Sequence, residues 1–245
     1  MNESRICELA ESQLSDYRAR RPGTVFEDPL FRPTLEDAYR IQLAAAALRE
    51  RDGERRAGFK VGATGTNIGA QFGLQGPVSG SVWESEVHVC GAALPADDYA
   101  RPAVEGEIAL RLGPDGRPIA VFPVIEIHNF LFRAEPWSLQ ELVVNNAIHA
   151  GVVLPCADET PWPAEVSGSI RVLVNDLIVD EGPANGVPGG PEGSLRWLRA
   201  HLNRFGLRPF GLVLTGTALS LIPVSRGDKV RVETDTFGHA EMRLV

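Results

Sequence analysis

The sequence has little of what marks the commonest kinds of site. Its three cysteines, Cys7, Cys90 and Cys156, are an odd number, widely spaced and without a CxxC pair. That pattern argues against a disulfide framework or a zinc site and for unrelated reduced thiols. There is no HExxH and no GxSxG, so zincin and α/β-hydrolase chemistry lack their anchors. The Gly-rich stretch 62–73, "GATGTNIGAQFG", matches neither GxGxxG nor GxxxxGK[ST], which removes the usual phosphate-cradling loops. No basic block occurs, and the net charge of −8 excludes nucleic acid or an anionic membrane as the main partner. Long apolar runs are also missing. The N-terminal stretch 1–23 is charged and helix-like with no apolar centre, so we expect no signal peptide, no membrane span and a cytoplasmic protein.

What is present is ordinary globular composition: 245 residues, 44% hydrophobic and 23% charged, enough to bury a sizeable core. Residues 1–56 read as a helical region. Small and apolar residues recur at helical spacing from Ile6 to Arg21, stopped by Pro22 and Gly23. Thr34 is a good N-cap, with Asp37 three residues on, for a helix running to Gly53. From 57 to 245 the chain turns to short β-like runs separated by Gly and Pro, including "GFKVGAT", "AVEGEIALRLG" and "IAVFPVIEIHNF". A hairpin is expected around Asn175 and Asp176. A helix, "LRWLRAHLNRFG", is expected before Gly206. Strands outnumber helices without alternating with them. This favours an α+β domain with a curled, mainly antiparallel mixed sheet over a Rossmann or TIM arrangement.

The stretch "VEGEIAL" carries the sharpest chemical question. In a strand, side chains alternate, so Glu105 and Glu107 point the same way while Val104, Gly106, Ile108 and Leu110 point the other. Two like charges on one face repel, and burial worsens the conflict. A cation between them removes it. Glu126, among Val124, Ile125 and Ile127, offers a third carboxylate, and such a set suits a hard divalent ion, Mg²⁺ or Mn²⁺. A plain solvent-facing strand explains the same pattern. Lys60, between Phe59 and Val61 and flanked by glycines, reads either as an edge-strand lysine or as an ammonium facing an anionic substrate. His128 would share the strand face of Glu126.

Taken in order, "LEDAYRIQ", "GFKVGAT", "VEGEIAL", "PVIEIHNF", "VNNAIHAG" and "LVLTGTAL" with "IPVSRGDKV" resemble the fumarylacetoacetate hydrolase superfamily. Within it they resemble the 2-keto-4-pentenoate hydratase and 4-oxalocrotonate decarboxylase branch. The resemblance implies a β-roll like the fumarylacetoacetase C-terminal domain, behind an N-terminal helical region. It implies Glu105, Glu107 and Glu126 as ligands of Mg²⁺ or Mn²⁺ and Lys60 and His128 as catalytic residues. Asn146, Thr215 and Gly216 fall among the substrate-binding residues. The activity implied is a hydratase of aromatic-compound catabolism acting on a small 2-oxo or 2-hydroxydienoic acid, with a decarboxylase or a C–C hydrolase as alternatives. A homo-oligomer, associated with a sister pathway enzyme, is implied as well. Two positions depart from the branch: Val78 stands where an acid is usual in a "PDFG"-like turn, and His128 where an acid often follows the third ligand. Glu84, just beyond in "SVWES", reads either as an acid that compensates or as a surface-loop glutamate.

Overall fold

The computed structural model describes residues 1–28, 30–64, 77–133 and 138–245. Most of the Gly-rich stretch considered above lies outside the described residues. Helix α1 (Glu3–Arg18) starts where the Asn2 side chain accepts from Arg5 N–H. It ends three residues before the expected Arg21, because Arg20 takes a left-handed φ of 56°. Helix α2 (Leu35–Arg51) starts at Thr34, whose hydroxyl accepts from Asp37 N–H at 3.1 Å. Two further helices are α3 (Leu139–Val144) and α4 (Gly190–Asn203).

The strands form two sheets. Five belong to the backbone of the larger one in its first half: β1 (Arg56–Gly62), β2 (Val78–Trp83), β3 (Val87–His88), β5 (Pro102–Leu112) and β6 (Pro118–Asn129). With β7 (His149–Val153) and β11 (Leu212–Leu214) they run in the order β2-β1-β11-β5-β6-β7-β3. The short β12 (Ile222–Pro223) pairs with β5, and β8 (Thr160–Pro161) with β6. The smaller sheet has the order β10-β9-β13-β14-β4, from β4 (Ala92–Leu94), β9 (Ser169–Val174), β10 (Leu177–Pro183), β13 (Lys229–Thr234) and β14 (His239–Leu244). Pairing is antiparallel except at β1/β11, β3/β7 and β14/β4. The fold is thus the curled, mixed α+β arrangement that the sequence pattern implied. The expected hairpin joins β9 to β10 through Asn175 and Asp176, both at positive φ (52° and 65°), as a two-residue turn matched to strand twist requires.

The longest ladder, β5 with β6, sets the core. Val104, Ile108, Leu110, Val121, Ile125 and Ile127 pack against Ile170, Val172, Val230 and Val232 of the smaller sheet, together with Leu195 and Leu198 of α4. Gly106 lies at the closest approach: a Cβ there would stand 3.0 Å from Val172 Cγ2 and 3.2 Å from both methyls of Val232. Pro123 is tolerated inside β6 because that strand's outer neighbours leave a gap beside it, β8 ending its pairing at Val121 and β7 beginning at Ile125. A second apolar cluster gathers Ile6, Leu9, Tyr39 and Ile41 from α1 and α2 with Val78, Leu142 and Val143.

One expectation about cysteine fails. Cys90 and Cys156 face each other with Cα atoms 4.9 Å apart and their sulfurs within bonding distance, while Cys7 is free. A partnership across 66 residues leaves no local pattern to read. No helix among the described residues is long and apolar enough to cross a membrane.

Candidate active site

The β5–β6 register places Glu105 opposite Glu126, Glu107 opposite Val124 and Ala103 opposite His128. Both glutamates of "VEGEIAL", Glu126 and His128 therefore share one face. It is not a solvent face: Glu105 is 9% exposed, Glu107 1%, Glu126 0% and His128 2%. Lys60 comes from β1, which stands three strand positions from β6 along the sheet. On a flat sheet that is about 14 Å, farther than a lysine reaches. Sheet curl brings its ammonium to 3.1 Å from Glu126 Oε1. Gly62 leaves the space, since a Cβ there would stand 2.7 Å from Lys60 Nζ.

Each carboxylate has a tied end. Glu126 Oε1 meets Lys60 and, at 2.7 Å, His149 Nδ1. Glu107 Oε2 accepts from Gly216 N–H at 2.9 Å. Glu105 Oε2 lies 3.1 Å from His128 Nε2. Of the three ends that remain, two, Glu107 Oε1 and Glu126 Oε2, are buried without a hydrogen-bond partner. Desolvated anionic oxygens left in this way are costly unless a cation satisfies them, so the donor set fits a divalent ion. The tightest convergence joins Glu105, Glu126 and His128, which each place one donor atom within 4.8 Å of the others.

The charges answer to this crowding. Burial and the neighbouring Glu126 push the Glu107 carboxyl well above its usual value, against the pull of Lys60. Burial would also raise Glu126, but Lys60, His128 and His149 outweigh it and hold that carboxyl far below the ordinary range. For Lys60, burial favours the neutral amine, yet Glu126, Glu107 and Glu105 prevail and keep its proton on.

The remaining expected residues are close by but already engaged. Asn146 Oδ1 accepts from Ser81 N–H at 2.7 Å, and its Nδ2 donates to Ser81 O at 2.9 Å. Thr215 Oγ1 donates to Ile108 O at 2.7 Å. Asn146, Ala147 and Ile148 all have positive φ, a strained run that points the Ala147 carbonyl at Lys60, 3.2 Å from Nζ. Val78 is buried in the apolar cluster of α1 and α2. Glu84 is exposed and paired with Arg55, so it supplies no acid to the site. Sequence reasoning passed over His149 and Glu86. His149 Nε2 sits 4.0 Å from Glu86 Oε2, and Glu86 Oε1 accepts from Arg49 at 2.7 Å and Tyr17 at 2.9 Å. The available signal was register: His149 pairs with His128 across β6 and β7.

No family model matches the chain. Among known proteins it is 28% identical over 229 residues to a 2-hydroxyhexa-2,4-dienoate hydratase of Comamonas testosteroni, covering 86% of each chain. It is 27% identical over 225 residues to a 2-hydroxypent-2,4-dienoate hydratase of Pseudomonas putida, covering 84% of this chain and 100% of that one. Its fold matches 4-oxalocrotonate decarboxylase from Pseudomonas putida G7, solved with magnesium and adipate, with a TM-score of 0.91 at 22% identity over 100% of this chain and 99% of that one. The curled sheet is thus the fold of that decarboxylase, and the sequence is similar to those of dienoate hydratases. It is also 26% identical over 216 residues to a 2-keto-4-pentenoate hydratase of Burkholderia vietnamiensis, covering 82% of each chain.

Proposed function

We propose that this protein is a divalent-metal-dependent hydratase that converts a 2-hydroxydienoate, through its 2-oxo-alkenoate form, to a 4-hydroxy-2-oxo acid. The observation that carries the reading is the pair of buried, partnerless carboxylate oxygens of Glu107 and Glu126 beside the Lys60 ammonium, in a chain whose relatives are named as dienoate hydratases. Glu105, Glu107 and Glu126 would hold Mg²⁺ or Mn²⁺. When bound, that ion supplies Lewis-acid stabilisation to negative charge developing on the C2 oxygen of a 2-oxo acid.

The chain's own residues do the rest. Lys60 has two acceptors, Glu126 Oε1 and Ala147 O, which leaves one N–H of its three free to meet the substrate. It serves as the proton donor when the dienol is protonated at its far carbon, or it anchors the substrate carboxylate. Water then adds at C4 and a proton at C3. His128 stands beside Glu105 and Glu126 within reach of the same substrate end. Asn146, Thr215 and Gly216 act as positioning residues, since their polar groups hold Ser81, Ile108 and Glu107. The same reading makes the protein a cytoplasmic homo-oligomer, which sedimentation of the native chain checks.

The test is to follow 2-hydroxypenta-2,4-dienoate by ultraviolet absorbance with Mg²⁺ or Mn²⁺, before and after chelation. Metal-dependent loss of the dienoate with formation of 4-hydroxy-2-oxopentanoate is the expected result. Inert dienoate together with CO₂ release from 4-oxalocrotonate would move the chain to the decarboxylase reading.

A further inference from the structure

We propose that His128 is itself a ligand-donating residue of the cation site, through Nε2. On this assignment it shifts the site's preference from Mg²⁺ toward first-row transition ions that accept nitrogen, such as Co²⁺ or Fe²⁺. The inference rests on the metal-dependent reading above and names the ion class that this chain takes.

The first argument is geometric. His128 Nε2 lies 3.1 Å from Glu105 Oε2 and 3.5 Å from Glu126 Oε2. Donors set at right angles around an ion with bonds of about 2.1–2.3 Å stand roughly 3.0–3.3 Å apart. Both edges that meet at Nε2 therefore match a coordination shell within a few tenths of an ångström, and the three residues each place a donor atom within 4.8 Å of the others. As a hydrogen bond the same arrangement is incomplete, because a single Nε2 proton serves one oxygen. Glu126 Oε2 is indeed left buried without a partner. An ion at that vertex satisfies all three donors at once.

The second argument is how the neighbours turn the groups inward. Lys60 and His149 hold Glu126 by Oε1, which presents Oε2 to His128. The His128 ring touches no other polar group that would fix it: Nδ1 has no partner, and the ring is 2% exposed. His149 differs, since its Nδ1 is committed to Glu126 Oε1, the end held by Lys60. The third argument is charge. With an ion bound, three carboxylates and one ammonium leave two negative charges, which a divalent ion cancels. Carboxylate oxygens alone suit Mg²⁺, whereas an added imidazole nitrogen favours transition ions along the Irving–Williams order.

The test is pulsed electron paramagnetic resonance on the full chain loaded with Mn²⁺, read for ¹⁴N modulation from a directly bound imidazole. The wild type should show it, His128→Asn should bind Mn²⁺ without it, and His149→Asn should keep it. In competition titrations, the preference for Co²⁺ over Mg²⁺ should fall about tenfold or more in His128→Asp. Bound Mn²⁺ without ¹⁴N modulation in the wild type overturns the proposal and leaves the metal-dependent reading standing. Modulation that persists in His128→Asn, or an unchanged ion preference, also overturns it. A wild type that binds none of these ions overturns both. If His128→Asn does not fold, as judged by circular dichroism, His149→Asn decides: modulation kept there supports the assignment and modulation lost there overturns it.

Discussion

On one side of the β5–β6 ladder, Val104, Ile108, Leu110, Ile125 and Ile127 meet the smaller sheet in a dry core. On the other, a few ångströms away, Glu105, Glu107, Glu126 and His128 stand with Lys60. Both sides are buried. They differ in what fills them: the first is closed by complementary apolar volume, the second by opposed charges that do not fully cancel. One backbone ladder therefore supports two environments, with side-chain alternation as the only divider. The apolar side should set how stable the protein is, and the charged side what it binds.

The sharpest way to break that division is Glu126→Gln. It removes the charge at the centre of the polar side and should lower kcat/KM about 10⁴-fold, roughly 5 kcal/mol of transition-state stabilisation, with loss of Mn²⁺ binding in titration calorimetry and little loss of fold. Full activity would end the assignment. The converse is Ile125→Ala on the dry side, which is fully buried. It should cost about 2–5 kcal/mol in urea unfolding while leaving Mn²⁺ affinity nearly unchanged; a large drop in affinity would show that the two sides are not separable.

His201 sharpens the contrast, because it is a buried histidine without carboxylates. Packed against Trp197, Tyr39 and Phe205, it is held neutral, its pKa pushed down to about 4 by burial and Arg204. Below about pH 6.5 the unfolded chain takes up a proton that the folded one refuses until about pH 4. Stability from this group is therefore complete above pH 6.5 and is lost as pH falls to about 4, on the order of 2–3 kcal/mol. Chemical unfolding at pH 7 and pH 4.5 should show a steeper fall in the wild type than in His201→Phe. The smallest effect is expected at Gly106→Ala, whose new methyl presses on Val172 and Val232. It should cost about 1–2 kcal/mol, read as a lower thermal midpoint at unchanged activity.

Alternation made the shared face of Glu105 and Glu107 legible in the sequence, and the order of motifs made the β-roll and its relatives legible. Whether that face met water was not. The apolar cluster that includes Ala109, Phe122 and Val124 of that face draws Val82, Leu212, Leu214 and Val152 from strands remote in sequence. The reach of Lys60 to Glu126 comes from sheet curl, which no local pattern states. The left-handed run at Asn146–Ile148 is unreadable for another reason, since none of its residues is glycine and tertiary contacts impose it. Cys90 with Cys156 and His149 with Glu86 are long-range pairs of the same kind.

The alternation that divides the ladder also bears on how the chain finds its fold. A slip of one residue between β5 and β6 would turn every side chain of the slipped strand to the opposite side. Glu105 and Glu107, or Glu126 and His128, would then face Val172 and Val232, where an unpaired charge has no partner and costs several kcal/mol. Misaligned forms of the two longest strands thus have nowhere to settle. The residues placed for chemistry also proofread the pairing on which the whole sheet is built.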